Sequence, residues 1–301
     1  MSPVLQISWE DMHQALDDFD PVTVVVDELT GEAVGDVADL VDVGGFVKVE
    51  DPASADCFLL PAGALRTVRG SCLTVAAAQL LLPPGAATVC VLGSAPEAAV
   101  LLKMIIQYVR DVGHVAVCVM DGPPDPAVTR RVRDELVLAG IDLTVGTDAG
   151  EALFGANLVA VGRSRVDPGI GKISKGAILV NAGGRDLPTA VVAGAAAIYV
   201  DDMRLIGESA HRYFVREHLA CLETPTTSRY LQPRAQRVTG DLGDLLSGDS
   251  VPRRHPAEHI LVELLSTEAV SVRLACELGL AARRLGLGKE IDHLCKDQHG
   301  R

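Results

Sequence analysis

The sequence predicts an α/β protein built on a parallel, doubly wound sheet, with a smaller α+β part beside it. Two observations carry that expectation. Between residues 88 and 200, short apolar runs alternate with helix-spaced apolar patterns, the order that crossover-connected parallel strands require. The composition agrees: 48% of the 301 residues are hydrophobic but only 3% are aromatic, so the core must be built from Val, Leu, Ala and Ile. A chain of this length has room for roughly two domains.

The opening segment does not follow the crossover pattern. After a short apolar stretch, Ser8 and Asp11 read as an N-cap and a first-turn acid for a helix spaced by Met12, Leu16 and Phe19, which Pro21 stops. Residues 22–26 and 46–49 are β-branched runs ending in turn residues and are expected as strands. Residues 58–62 make another short strand and turn, and a helix follows over 64–82 until Pro83-Pro84-Gly85 breaks it. On that helix Arg66 and Arg69 stand three apart, a spacing that allows either a bidentate clamp on an anion or a solvated face among acids.

Residues 87–121 read as a complete βαβ unit. The apolar run 88–92 meets Gly93, a helical pattern spans 98–109, and the second apolar run, 115–120, stops at Asp121. Strands buried on both faces of a parallel sheet show such unbroken runs. In a dinucleotide-binding unit the first strand delivers the chain through glycine to a helix N-terminus, whose free N–H groups and positive dipole end hold a pyrophosphate. Asp121 can accept hydrogen bonds from ribose hydroxyls and repel a 2′-phosphate, which favours NAD over NADP. The loop itself, Gly93-Ser94-Ala95-Pro96-Glu97-Ala98, departs from G-x-G-x-x-G/A. Ala95 stands where a second glycine would let backbone approach phosphate, and Glu97 brings a carboxylate to the same place. Pro96 is tolerated, because the N–H it lacks would be unpaired in the first turn. Two readings stay open here: a dinucleotide seat, or a βαβ unit that kept its packing and lost its ligand.

Farther on, a charged amphipathic helix is expected over 126–138 and a short one over 149–155, with strands at 141–145, 158–161, 177–181 and 197–200. The glycine-rich turn Asn181-Ala-Gly-Gly-Arg-Asp186-Leu-Pro188 follows one of these strands, at the edge where open α/β sheets bind ligands. Asp186 is therefore the best-placed ionisable group outside the phosphate loop, unless it only forms the turn before Pro188. Helices are expected over 204–222, 240–248 and 258–285, the last closed by Gly286-Leu-Gly288.

A net charge of −13 argues against nucleic acid or an anionic membrane as partner, since phosphate binding needs clustered Lys and Arg. No basic and apolar leader opens the chain, and no apolar run approaches the roughly 20 residues of a membrane span. A soluble, cytoplasmic protein is expected. The seven cysteines include no C-x-x-C pair and read as small core residues in a reducing compartment; the eight histidines show no metal-ligand spacing, so no metal is expected.

Taken together, several separated stretches resemble the ornithine cyclodeaminase/μ-crystallin family, over most of the chain from about Pro61. Leu65-Arg66-Thr67 with Ser71 is similar to the family's L-R-T-x-A-x-S helix, and Val91-Leu-Gly93 with Ala98 to its nucleotide loop. The turn from Gly176 to Pro188, Tyr199-Val200-Asp201-Asp202, and the run from Gly240 to Gly248 with Pro252, Arg253 and Glu258 continue the likeness in order. The resemblance implies a Rossmann-type dinucleotide-binding domain, 76–264, inserted into a substrate and dimerisation domain made of 1–75 and 265–301. It implies NAD(P), a small amino or imino acid as substrate, hydride transfer at the α-carbon, and a homodimer. By the resemblance Arg66 would hold the substrate carboxylate and Asp186 would handle the amine or imine proton as acid or base; Arg69, by its spacing from Arg66, and Lys48, the one lysine of the segment before it, are the further candidate cations of this sequence. Gly93, Ser94, Ala95, Asp121, Thr67 and Gly183 would line the cofactor.

The departures point elsewhere. The segment before Arg66 is short, nothing around Lys48 matches the family's lysine motif, Glu97 replaces a Gln, Val192 a Glu, and Ser266 and Glu268 stand where G-x-A is usual. A missing lysine removes a charge partner and proton donor commonly worth ~10²-fold in rate, which argues against ordinary ornithine cyclodeamination. The other reading is a catalytically silent homologue serving as a ligand- or partner-binding module.

Overall fold

The structure, a computed structural model, describes residues 3–33, 40–119, 126–163, 173–223, 238–251 and 259–291. The chain forms two compact units, residues 1–69 with 268–301, and residues 70–267.

The smaller unit holds β1 (Val4–Gln6), α1 (Trp9–Ala15), α2 (Pro21–Thr30), β2 (Val41–Val43), β3 (Phe46–Glu50), β4 (Cys57–Pro61) and the first turns of α3 (Ala62–Leu81), with α10 (Glu268–Arg284) and β13 (Lys289–Ile291) from the far end of the chain. Its mixed sheet runs β13-β1-β4-β3-β2, parallel only between β1 and β4. Helix α10 lies close enough to β4 that a Cβ on Gly279 would stand 2.3 Å from the Phe58 ring.

Residues 22–26 are helix α2 and not the strand their β-branching suggests. Asp20 caps that helix, its Oδ1 accepting from Val22 N–H at 3.1 Å and Thr23 N–H at 3.0 Å. Pro21 occupies the first turn and Gly31, at φ 72°, ends it in the left-handed region. Caps at both ends, together with Val22 and Val25 buried where α2 meets α10, outweigh the weak strand preference of a valine run.

The larger unit carries β5 (Ala87–Gly93), α4 (Ala95–Tyr108), β6 (Val112–Val119), α5 (Pro126–Leu138), β7 (Asp142–Gly146), α6 (Ala149–Leu153), β8 (Leu158–Val161), β9 (Ile178–Asn181), α7 (Thr189–Gly194), β10 (Ala197–Val200), α8 (Tyr213–Glu223), β11 (Val238–Asp241), α9 (Leu242–Leu246) and β12 (Ile260–Glu263). Among the described residues its eight strands all pair in parallel, in the order β11-β10-β12-β9-β8-β5-β6-β7. The fold class is thus the expected doubly wound α/β sheet beside a smaller mixed one. From β5 the chain winds outward through β6 and β7, then returns to β8 on the other side, so the direction of winding reverses between β5 and β8. One face of the sheet is sealed by Leu92, Val161, Leu179, Val191, Val200 and Phe214.

Two expectations for the chain's later part are corrected. Residues 258–285 are not one helix: β12 inserts between β9 and β10, all four of its residues buried, and α10 starts only at Glu268. The helix expected over 204–222 begins at Tyr213, after a 3-10 turn at Met203–Leu205.

Candidate active site

The carboxyl ends of β5 and β8 flank the reversal point, where open sheets form their ligand crevice. Gly93 ends β5, and Ser94 caps α4 in a reciprocal capping box with Glu97. Glu97 Oε2 accepts from Ser94 N–H and from Ser94 Oγ–H, each at 2.9 Å. The other oxygen, Oε1, accepts from the Arg163 N–H at 3.0 Å, two residues past β8. One side chain therefore joins the loop after β5 to the loop after β8. The glycines fit around it: a Cβ on Gly93 would lie 3.1 Å from Glu97 Oε2, and one on Gly162 2.8 Å from the same atom. A Cβ on Gly183 would meet the Gly162 carbonyl oxygen at 2.2 Å, so the β8 and β9 loops touch through backbone alone. Ala95 opens α4, and Pro96 offers no N–H to the first turn.

On the same edge, at the ends of β9 and β12, two and three strands from β5, lies a buried network that the sequence did not announce. Asp186 Oδ1 accepts from Arg212 Nε at 3.2 Å and from Tyr213 N–H at 2.8 Å, while the side chain stays 42% exposed. Arg212, at 5% side-chain exposure, places Nη2 2.5 Å from Glu263 Oε2 and 2.9 Å from the Arg185 carbonyl. Its guanidinium lies over the Phe214 ring, 5.3 Å from the centroid. Asn181, paired in register with Glu263, donates to the same Oε2 and to the Arg185 carbonyl, both at 2.8 Å. Glu263 is fully buried and its Oε1 has no hydrogen-bond partner among the described residues. Burial pushes its carboxyl up to about 7, against the pull of Arg212 and Asn181.

The remaining expected residues are distributed as follows. Arg66 is exposed on α3, whereas Arg69 is buried and its Nη1 donates to Ser271 Oγ at 2.6 Å. The two residues of the pair thus differ in exposure. Thr67 Oγ1 bonds back to the Gly63 carbonyl at 3.1 Å. Lys48 is half-buried on β3 beside the Cys57 thiol, which burial holds above its ordinary range and Lys48 draws down. Gly183 N–H donates to Asn181 Oδ1 at 3.2 Å. Asp121, like Pro252, Arg253 and Glu258, lies outside the described residues. Arg212 and Glu263 were missed. The only signal for Glu263 was a lone acid closing the apolar run 260–262, and Arg212 sits in a stretch too rich in charge to stand out. Among the described residues no three His, Cys, Asp or Glu gather as a metal site, and no helix is long and apolar enough to cross a membrane.

No model of a known protein family matches the sequence, and no curated protein does. Solved structures match over nearly its whole length at low identity. The crystal structure of CmnK is 20% identical over 98% of this chain and 100% of its own, with a TM-score of 0.68. The Δ1-pyrroline-2-carboxylate reductase of Thermococcus litoralis, solved with NADH and L-proline, is 13% identical over 95% and 100%, at 0.64. A probable ornithine cyclodeaminase from Bordetella pertussis is 18% identical over 93% and 98%, also at 0.64. The chain has the fold of these proteins, as its resemblance to the ornithine cyclodeaminase/μ-crystallin family implies.

Against an NAD(H) molecule the crevice fits in its frame. β5 turns at Gly93 into a helix of 14 residues at the reversal point, and Gly162 and Gly183 keep side chains out of the neighbouring loops. The Glu97 carboxylate occupies the backbone donors there. Glu97 is half-buried and held by its tip, so a change of rotamer releases the Ser94 and Arg163 N–H groups.

Proposed function

We propose that the chain is a dinucleotide-dependent enzyme acting on a small amino or imino acid, with NAD favoured over NADP. What supports the reading is one juxtaposition. The glycine turn at Gly93 and the anchored carboxylate of Asp186 lie on the same edge of one parallel sheet, in a fold shared end to end with a reductase solved with NADH. Gly93, Ser94, Ala95 and Gly183 would hold the dinucleotide, with Thr67 added from the resemblance and Asp121 from its place closing the second apolar run of the βαβ unit. Bound there, the nicotinamide would supply or accept hydride at the substrate's α-carbon.

Asp186 presents its chemistry through one oxygen. Both donors bind Oδ1 and the side chain is 42% exposed, so Oδ2 would be the oxygen to hold or take a proton at a substrate nitrogen. Arg212 orients Asp186, and Glu263 with the Arg185 carbonyl orients Arg212. The resemblance assigns the substrate carboxylate to Arg66 and a homodimer to the assembly, which light scattering would test; Arg69, three residues on, and Lys48 are proposed as further cations from their own positions in this sequence. The described cysteines all carry thiols, in keeping with a cytoplasmic site.

A second reading, a silent homologue that binds a ligand or partner, draws its support from Glu97, whose carboxylate sits where phosphate charge would come. Purified protein incubated with NAD(H) and a panel of amino and imino acids, followed at the nicotinamide absorbance, separates the two. Turnover with any member upholds the enzyme; none across the panel, with NADH bound, upholds the module.

A further inference from the structure

We infer that Glu97 is an internal competitor for the dinucleotide seat, holding with its own carboxylate the backbone donors that a pyrophosphate would take. The inference rests on the reading above that NAD(H) binds at the turn after β5.

A helix cap alone does not account for this side chain. The bonds to Ser94 N–H and Oγ are those of an ordinary capping box. The bond from Arg163 N–H to Oε1 is not, because it recruits a donor from a different strand, 66 residues away. Nor does a cap require glycine at 162, where any Cβ would lie within 2.8 Å of Oε2. The loops after β5 and β8 are thus shaped around a carboxylate that links them. That group carries the charge of the phosphates it displaces and accepts from the same kind of backbone donor. Pro96 has no N–H, so an incoming pyrophosphate finds few substitutes for the donors at Ser94 and Arg163.

Charge decides that the two occupants exclude each other. Two negative groups about 4 Å apart, at the effective dielectric of a partly exposed site, lose roughly a hundredfold or more in affinity. Native protein must therefore turn Glu97 out before phosphate enters, and the population able to bind is reduced accordingly. A glutamine at this position keeps the shape and the cap but gives up the charge.

The test is equilibrium titration of NADH, read by nicotinamide fluorescence, into the native chain and Glu97→Gln, with ADP and adenosine as competing probes. Thermal melting of both proteins verifies that the cap survives. The expected result is NADH and ADP binding on the order of a hundredfold tighter in Glu97→Gln, a gap that narrows as salt is raised, and no difference for adenosine, which has no phosphate. Equal NADH affinities overturn the inference and leave the dinucleotide reading standing. No binding of NADH, ADP or adenosine by either protein overturns both.

Discussion

Arg212 Nη2 stands 2.5 Å from Glu263 Oε2, and both side chains are almost wholly removed from solvent. A buried pair of this kind is weak evidence of stability by itself, since desolvation offsets much of the attraction; breaking it from one side is what costs. Because the same guanidinium also reaches Asp186 and the Arg185 carbonyl, the pair's work is positional. Arg212→Lys replaces a planar fork, whose separate nitrogens reach Asp186, Glu263 and the Arg185 carbonyl, by a compact ammonium that does not match their positions. Denaturant unfolding should show a loss of about 3 kcal/mol, and any activity assigned to the chain should fall with it.

Glu263 should leave a signature in the pH dependence of stability. Its carboxyl titrates at about 7 in the fold against 4.5 ordinarily, raised first by burial. A raised acid favours the folded state while protonated, so its contribution is complete below the ordinary range and lost as pH climbs through about 7. Unfolding free energy measured at pH 5 and at pH 8 should decline by on the order of 3 kcal/mol from this group. In Glu263→Gln the decline should be absent; a variant with the native slope would remove Glu263 as its source.

Asp186→Asn keeps an oxygen for Arg212 and for Tyr213 N–H but gives up proton transfer. The expected outcome is an unchanged unfolding midpoint with turnover reduced ~10²-fold or more. Unchanged turnover would take Asp186 out of the chemistry.

Ser266 adopts φ 81°, a left-handed conformation that a Cβ disfavours. It is held there by Asp201, whose carboxylate collects the N–H groups of Leu265, Ser266 and Thr267 at 2.6, 3.1 and 3.2 Å. Ser266→Gly should raise unfolding free energy by about 1 kcal/mol, checked by denaturant unfolding.

What could be read from the sequence was what local chemistry determines. The apolar runs of β5, β6, β8, β9 and β10 have no other use than a sheet buried on both faces, and Pro126–Leu138 begins and ends where its proline and glycine punctuation says. The misreadings have equally local causes. The valines of α2 look like a strand until Asp20 and Gly31 are taken as its caps. β12 runs toward α10 with no glycine or proline between them, the turn being made instead by strained Ser266 on Asp201, a residue 65 positions away. In the site, Gly93, Ser94 and Glu97 were legible because they are neighbours in sequence. The Asp186–Arg212–Glu263 chain was not, because 26 and 51 residues separate its links and only the parallel order of β9, β12 and β10 brings them together.

The most direct measurement is calorimetric titration of NADH into the native protein at neutral pH and low salt. Saturable binding of one NADH per chain is expected, in the high-micromolar to millimolar range and displaced by ADP. Heats no larger than dilution up to about 10 mM NADH, a binding free energy weaker than about 3 kcal/mol, would contradict it.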